Sequence, residues 1–438
     1  MTAPSQAELL VRSQQAPPLQ KRSNYRWMLA IFALLITFMS FMDRVNLAIA
    51  TPAIIKEFHF TKIQIGMMQT AFFLSYAFSQ IPSGMATEYL GHRRMVALAI
   101  GWWSVFTSLT AFCGRFSVWI VIRALFGVGE APVYPGLNSA LSGWFPRRER
   151  GKAAGFLVTG SCLGQIVGMP LSAMIMVTWG WRAVFVIFGV MGLVLALCYY
   201  VFMRTHPHQS KYVNAAELEY IADGRPIGQP TKSGMAPWRD FLRSGQFWAI
   251  ACQFSMADYI NYVFISWLPV YLLEAHQFSL KQMGFVAAVP FMGPAIGGMS
   301  CGFIADYMIK KGLATAKCRA WFGGIGLLLC CCALYMTAVT ENRWLTVMWL
   351  TFALGSLGFT FNSSWASCAE IGGKFAGTVS GWINFWGNLC GAAGPSITAL
   401  VVTRYSWRAA ILITAVAGII GAVSWLFVKP DIALKNSA

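Results

Sequence analysis

Asp43 and Arg44 stand side by side in one apolar stretch, and Arg123 and Glu130 stand seven residues apart in another. An ionisable side chain at the centre of a membrane helix costs roughly 2.5–3.5 kcal/mol, so four of them unpaired would cost on the order of 10–14 kcal/mol. Such groups persist where they face one another or water and move ions or protons, which points to a transporter of something charged. Arginine stays protonated and offers a planar fork of donors that fits a carboxylate. A carboxyl group can load a proton on one side of a membrane and release it on the other. With Asp43 and Glu130 ionised the four charges cancel; with both protonated the site is doubly positive and favours an anion. That linkage suffices for proton–anion symport.

Spacing adds geometry. Arg123 and Glu130 share a helix face about two turns apart. Asp43 and Arg44 differ by about 100° around their helix, so one should face a cavity and the other bridge to the helix of Glu130. Pro132 and Pro135 should bend the outer end of that helix. The competing reading, a static ion-pair network that only orients two helices, is weaker because apolar contacts pack helices at lower cost.

The elements that must position these groups are membrane spans. The chain has 438 residues, 57% hydrophobic and 11% charged, which excludes a soluble enzyme and a disordered chain. Apolar runs of about 20 residues predict twelve transmembrane helices, an all-α integral membrane fold. Spans 1–6 are Trp27–Ala50, Ile65–Met85, Met95–Phe112, Trp119–Trp144, Ala153–Thr178 and Ala183–Met203. Spans 7–12 are Phe247–Leu273, Gln282–Met308, Ala320–Ala338, Leu345–Cys368, Ala376–Val402 and Ala409–Val428.

The formal charge of +17 resides in loops. With both termini inside, 23 Lys and Arg fall in cytoplasmic segments and 8 in outer loops, which supports that orientation in a cell inner membrane and explains the basicity without nucleic acid. The expected organisation is a disordered cytoplasmic tail (1–26), a six-helix bundle (27–203), a cytoplasmic linker (204–245), a second bundle (246–428) and a cytoplasmic tail (429–438). Within the linker, Ala215–Ala222 reads as a short amphipathic helix. Met1–Arg26 is polar and the first apolar run too long for a signal h-region, so no cleavable signal is expected. The two bundles repeat: Trp181-Arg182-Ala183 recurs as Trp407-Arg408-Ala409, 226 residues on, and Gly155 and Gly168 map at that offset onto Gly381 and Gly394. Gly84-x-x-x-Glu88 echoes in Gly302-x-x-x-Asp306. Weak symmetry between six-helix halves belongs to transporters that rock about a central site.

The 11 Cys are scattered through apolar segments as small hydrophobes, with no metal site or disulfide framework expected. All five His fall in predicted loops, so no intramembrane histidine relay is expected. No nucleotide motif is present. Glycines at 160, 164, 168, 387, 391 and 394 give spans 5 and 11 small faces for close helix crossing.

Gly84-x-x-x-Glu88-Tyr89-x-Gly91-His92-Arg93-Arg94 resembles the loop motif of the major facilitator superfamily, with Glu88 where Asp is usual and Tyr89 where a basic residue is usual. Three further stretches resemble its anion:cation symporter family, which includes galactonate, glucarate and hexuronate permeases. They are Asp43-Arg44-x-Asn46-Leu47-Ala48, Arg123-x-x-x-Gly127-x-Gly129-Glu130-Ala131-Pro132-x-x-Pro135, and Trp144-Phe145-Pro146-x-x-Glu149-Arg150-Gly151-Lys152-Ala153. The resemblance implies Arg44 as ligand of a substrate carboxylate, Asp43 and Glu130 as the proton-coupling pair, and Arg123 as their modulator. It also implies sugar-acid contacts at Tyr76 and Asn384, with helix packing as the alternative role for each.

Ser161 and Gln165 lie one turn apart in span 5; the family's sugar-acid binders can carry Gln at the position of Ser161, which implies a shorter or displaced contact here. Trp365 in span 10 is a candidate for stacking on substrate. Asp258 departs from the family pattern, lying in the polar-aromatic patch Ala257-Asp258-Tyr259-Ile260-Asn261-Tyr262 of span 7, with a hydroxyl contact, a gate or a second proton as its possible roles. Glu370 near Lys374 reads as a surface or gating ion pair.

The expectation is therefore a proton-driven importer of a small organic anion, a sugar acid such as an aldonate, aldarate or hexuronate, acting as a monomer in the bilayer. It has no cofactor beyond the coupling proton and no nucleic-acid or nucleotide partner. The alternatives are a symporter of an aromatic or dicarboxylic acid and a non-transporting sensor of the same fold. An enzyme is disfavoured, since no His, Cys or Ser constellation gathers at one membrane face.

Overall fold

The computed structural model describes residues 21–222 and 237–432 and Leu434, with the backbone alone for Arg147, Ala316 and Lys374. Of the expected tails, residues 1–20, 433 and 435–438 lie outside the described residues, whereas residues 21–26 lead into the first helix, with Tyr25 and Arg26 docked on Glu217. Twelve helical rods follow one another: α1 (Arg26–Phe58), α2 (Lys62–Leu90), α3 (His92–Thr110), α4 in two pieces (Phe116–Glu130 and Val133–Trp144), α5 (Arg147–Trp179), α6 (Trp181–Phe202), α7 (Gly245–His276), α8 (Leu280–Lys310), α9 (Thr315–Val339), α10 (Arg343–Gly372), α11 (Ala376–Arg404) and α12 (Trp407–Ser424). Among the described residues, nine helical segments are long and apolar enough to cross a membrane on length and composition. The rods α2, α3 and α7 fall short because each carries polar side chains, including Gln69, Gln80, His92, Gln253 and Asp258. Gln69, His92, Gln253 and Asp258 are buried in protein.

Helix boundaries follow local chemistry. Thr61 and Ser279 cap α2 and α8 through reciprocal bonds with Gln64 and Gln282, satisfying backbone donors that a helix start leaves open. The bend expected at the outer end of span 4 falls instead at its middle, between Glu130 and Val133. Pro132 has no N–H for the Val128 carbonyl, so the ladder stops there. Pro135 sits in the first turn of the second piece, where a missing N–H costs nothing.

The packing repeats with the sequence. Within the first six rods, α1 lies on α5, α2 on α4, α3 on α4 and α6, and α1 on α6; within the last six, α7 lies on α11, α8 on α10, α9 on α10 and α12, and α7 on α12. The two halves meet through α2 with α11, α5 with α8, and α1 with α7. The Trp-Arg-Ala repeat has a structural reason: Trp181 donates its indole N–H to Glu57 at the end of α1 (2.8 Å), and Trp407 donates to Glu274 at the end of α7 (2.9 Å). Glu57 is also bridged by Arg182 of its own half (2.5 Å), whereas Glu274 is bridged by Lys62 of the opposite half (2.6 Å). The glycine echo holds at one pair only. Gly168 meets Met42 of α1 and Gly394 meets Val263 of α7, while nothing lies within 4 Å of the Cβ positions of Gly155 and Gly381.

The linker contains the expected helix Ala215–Ala222 and a second one, Trp238–Arg243. The first does not float as a solvated strap. Glu217 is fully buried against the start of α1, where it accepts the backbone N–H of Tyr25 and Arg26 and pairs with the Arg26 guanidinium (2.9 Å). Arg26 also pairs with Glu149 at the start of α5, and Tyr220 donates to Glu149 (2.7 Å). Two histidines expected in loops belong to helices. His92 opens α3, buried against Tyr199 and the Thr205 carbonyl, and His276 closes α7. Glu370 pairs with Arg319 of α9 (2.7 Å); its expected pairing with Lys374 lies outside the described side chains.

Call the end that carries the linker the tail end. The bridges between halves run from mid-rod to the opposite, far end: Lys62 with Glu274, Gly66 against Pro395, Thr70 with Ala392 and Ser396, Phe73 with Tyr262, and Gln80 with Asn384. Toward the tail end, Asn138, Ser139 and Ser142 of α4 and Asn362, Trp365 and Ala369 of α10 are exposed.

Candidate functional site

Arg44 projects from the middle of α1 onto α4, where its Nε donates to Glu130 Oε1 (2.8 Å). Both side chains are buried, 4% and 1% exposed. Ser40, one turn before Arg44, donates its hydroxyl to the same Glu130 oxygen. The Arg44 guanidinium also lies over the rings of Phe41 and Tyr76 (4.7 Å each), and Phe72 separates it from Arg123, whose guanidinium is 4.8 Å from that ring. Desolvated cation–ring contacts of this kind are worth about 2 kcal/mol each. Phe72 and Tyr76, one turn apart on α2, thus hold two positive charges in place with aromatic faces.

The charged groups keep unused hydrogen-bonding capacity. Among the described residues, Arg44 Nη2, Glu130 Oε2, Asp43 Oδ2 and both Nε and Nη2 of Arg123 have no hydrogen-bond partner. Buried and unmet, such atoms are costly, and a site that retains them is shaped for a polar ligand, a proton or water. Asp43 accepts from Asn46 (3.3 Å) and lies within electrostatic reach of Arg123 and Glu130, with the Trp103 indole beside it. The expectation that one of Asp43 and Arg44 bridges to α4 while the other faces the cavity is therefore revised. Arg44 makes the bridge and is also the member within reach of Tyr262 and Asp258 of the opposite half; Asp43 points into the first half.

A second arm extends from α4 to α5. The Ser161 hydroxyl donates to the Leu157 carbonyl (2.9 Å) and so accepts from Tyr134, whose oxygen is 2.6 Å away. Tyr134 lies within electrostatic reach of Tyr76, Arg44 and Glu130. Gln165 donates to the Ser161 carbonyl (3.4 Å), and its own carbonyl is buried without a partner.

A third arm crosses between halves. Asn384 donates to Gln80 of α2 (2.8 Å), Asn388 donates to the Asn384 carbonyl (2.7 Å), and Tyr262 donates to Asn388 (2.5 Å) while stacking on Phe73 at 4.0 Å. Asp258 lies one turn from Tyr262. Trp365 is 45% exposed toward the tail end, its ring edge-on to Phe254 of α7 at 5.5 Å, so it stands at the margin rather than among the charges.

Residues 33–395, spanning both halves from α1 into α11, match the model of the Major Facilitator Superfamily. The chain belongs to that superfamily. This superfamily member is a multi-pass membrane transporter rather than an enzyme. It is 28% identical over 418 residues to the "Probable L-galactonate transporter" of Escherichia coli, covering 94% of this chain and 91% of the relative. It is also 28% identical over 427 residues to the "Probable galactarate/D-glucarate transporter GudP" of Bacillus subtilis, covering 93% of each. These relatives agree with the resemblance to anion:cation symporters. Among solved structures, a bacterial homolog to the human lysosomal transporter Spinster, in an inward-facing and unoccupied conformation, superposes with a TM-score of 0.74 at 19% identity, covering 92% of this chain and 96% of the other.

Sequence reasoning on this superfamily member left out Ser40, Phe72, Gln80, Tyr134 and Asn388, and left Tyr262 without a role. Each is four residues from a residue it singled out: 44, 76, 76, 130, 384 and 258 respectively. The signal was helical periodicity itself, since positions one turn apart share a face.

Proposed function

We propose that the protein is a proton-coupled importer of a small organic anion of the sugar-acid class. The buried Arg44–Glu130 pair with unmet donor and acceptor atoms on both partners carries this reading. A substrate carboxylate binding Arg44 competes with Glu130 for the guanidinium, and a proton taken up by Glu130 releases Arg44 to the substrate. Binding of anion and proton are then linked, because each removes the other's competitor. Asp43 and Arg123 adjust the charge balance around Glu130. Tyr76, Ser161, Gln165 and Asn384 supply hydroxyl and amide groups suited to a polyhydroxy acid, Trp365 borders the path, and Asp258 faces the site from the second half. The relatives' names, galactonate and galactarate/glucarate transporters, support the same substrate class.

With both termini cytoplasmic in the inner membrane, the tail end is the inner one, and the bridging of the halves at the far end makes this conformation inward-open. One chain carries a complete site and works as a monomer. The test is uptake into proteoliposomes under an imposed proton gradient. Glu130→Gln is expected to abolish accumulation against a gradient while retaining anion exchange; undiminished accumulation by this variant would overturn the coupling role.

A further inference from the structure

Asp258 is the one acid of the site contributed by the second half, and its surroundings are specific. It is 8% exposed and accepts no hydrogen bond from any described residue. Its charged neighbour is Arg44, across the junction of the halves, and Tyr262 lies within electrostatic reach of both. Behind it stands Gly387 of α11: a Cβ there would meet the Asp258 Oδ2 at 2.5 Å and the Phe254 ring at 2.7 Å, so the glycine makes room for the carboxylate. The fold repeat gives the position a counterpart. Glu57 and Glu274 occupy equivalent ends of α1 and α7, 217 residues apart, and at that offset Asp258 corresponds to Phe41, whose ring lies against Arg44.

We infer that Asp258 is a specificity-determining residue that receives hydrogen-bond donors at the end of the substrate opposite the carboxylate held by Arg44. This rests on the organic-anion reading above and narrows it to hydroxylated monocarboxylates. The chemistry is that of a two-ended site, positive at Arg44 and an unpartnered acceptor at Asp258. A chain with one carboxylate and hydroxyl donors at its other end satisfies both. A dicarboxylate sets its second carboxylate against Asp258, and a plain alkanoate leaves Asp258 buried without a donor; both are disfavoured. Aldonates and hexuronates fit; aldarates do not.

The experiment measures apparent affinities, by ligand-induced thermal stabilisation of the purified full-length protein. The probes are gluconate and galactonate, their dicarboxylate counterparts glucarate and galactarate, and hexanoate. The wild-type protein should bind the aldonates about tenfold or more tighter than the matching aldarates, the size expected of one buried donor–acceptor contact. Asp258→Asn should collapse or reverse that ratio. Gly387→Ala, which keeps the charge but crowds the carboxylate, should shift the ratio in the same direction and serves as the second variant if Asp258→Asn is not monodisperse. An unchanged ratio in either folded variant, or wild-type preference for the aldarates, overturns the inference while leaving the organic-anion reading intact. A wild-type protein that responds to none of the acids overturns that reading and this inference together.

Discussion

Arg44 touches more of the site than any other side chain, meeting Glu130 by hydrogen bond, Phe41, Phe72 and Tyr76 by ring contact, and Asp258 through space. Its removal therefore has two separable effects. Arg44→Ala strands Glu130 as a buried unpaired acid and should lower stability by about 3–5 kcal/mol. Replacing both partners, Arg44→Met with Glu130→Leu, should recover most of that loss while transport stays absent, which thermal unfolding and uptake assays on the same preparations would show. Equal instability of the single and double variants would contradict the pairing. Much of this site was legible in sequence, because charged residues inside apolar helices announce themselves. Hydrogen-bonded neutrals such as Tyr134 and Gln80 did not, since a Tyr or Gln in a helix is compatible with lipid margin, packing or site alike. The direction of Asp43 was also illegible: which of two adjacent residues turns inward depends on how α1 is rotated against α5, set by Gly160 and Gly164 meeting backbone carbonyls of Leu34 and Phe38.

At the scale of elements, the break in α4 sets Glu130 at the last turn of a helix piece instead of inside a continuous rod. Periodicity predicted the span, and the two prolines predicted a bend, but its position beside Glu130 depends on Pro132 breaking the ladder while Pro135 is absorbed in a first turn, which two prolines three residues apart do not reveal. Pro132→Ala lets the Val128 carbonyl regain a donor, and should stabilise the protein by about 1–3 kcal/mol, the range expected for relieving a helix-interior proline. If the break serves the movement of α4, uptake rate should fall in this variant as the melting midpoint rises. A rate equal to wild type would leave the break without a role in turnover. The far-end acids show a related economy. The same Glu is paired within its half at Glu57 and across halves at Glu274, so one repeated element becomes a brace in one copy and a junction in the other.

For the molecule as a whole, the twelve rods and the two-fold repetition could be read from hydropathy and the Trp-Arg-Ala echo, because membrane burial and helix packing are both written in periodic apolar residues. The docking of the linker helix could not, since Glu217 sits among ordinary charged linker residues and only its burial against Arg26 distinguishes it. Glu217→Gln removes the partner of a buried guanidinium and should loosen that helix, seen as faster proteolytic cleavage of the linker than in wild type with the rods left intact. Unchanged cleavage would mean that Glu149 and Tyr220 suffice. The same contact has a consequence for how the chain is made. Synthesis runs from the N-terminus, so α1 leaves the ribosome well before the linker, yet the N–H groups of Tyr25 and Arg26 at its start are satisfied by a carboxylate almost two hundred residues downstream. The first half therefore completes its own structure only when residue 217 has been translated, just before the second half begins.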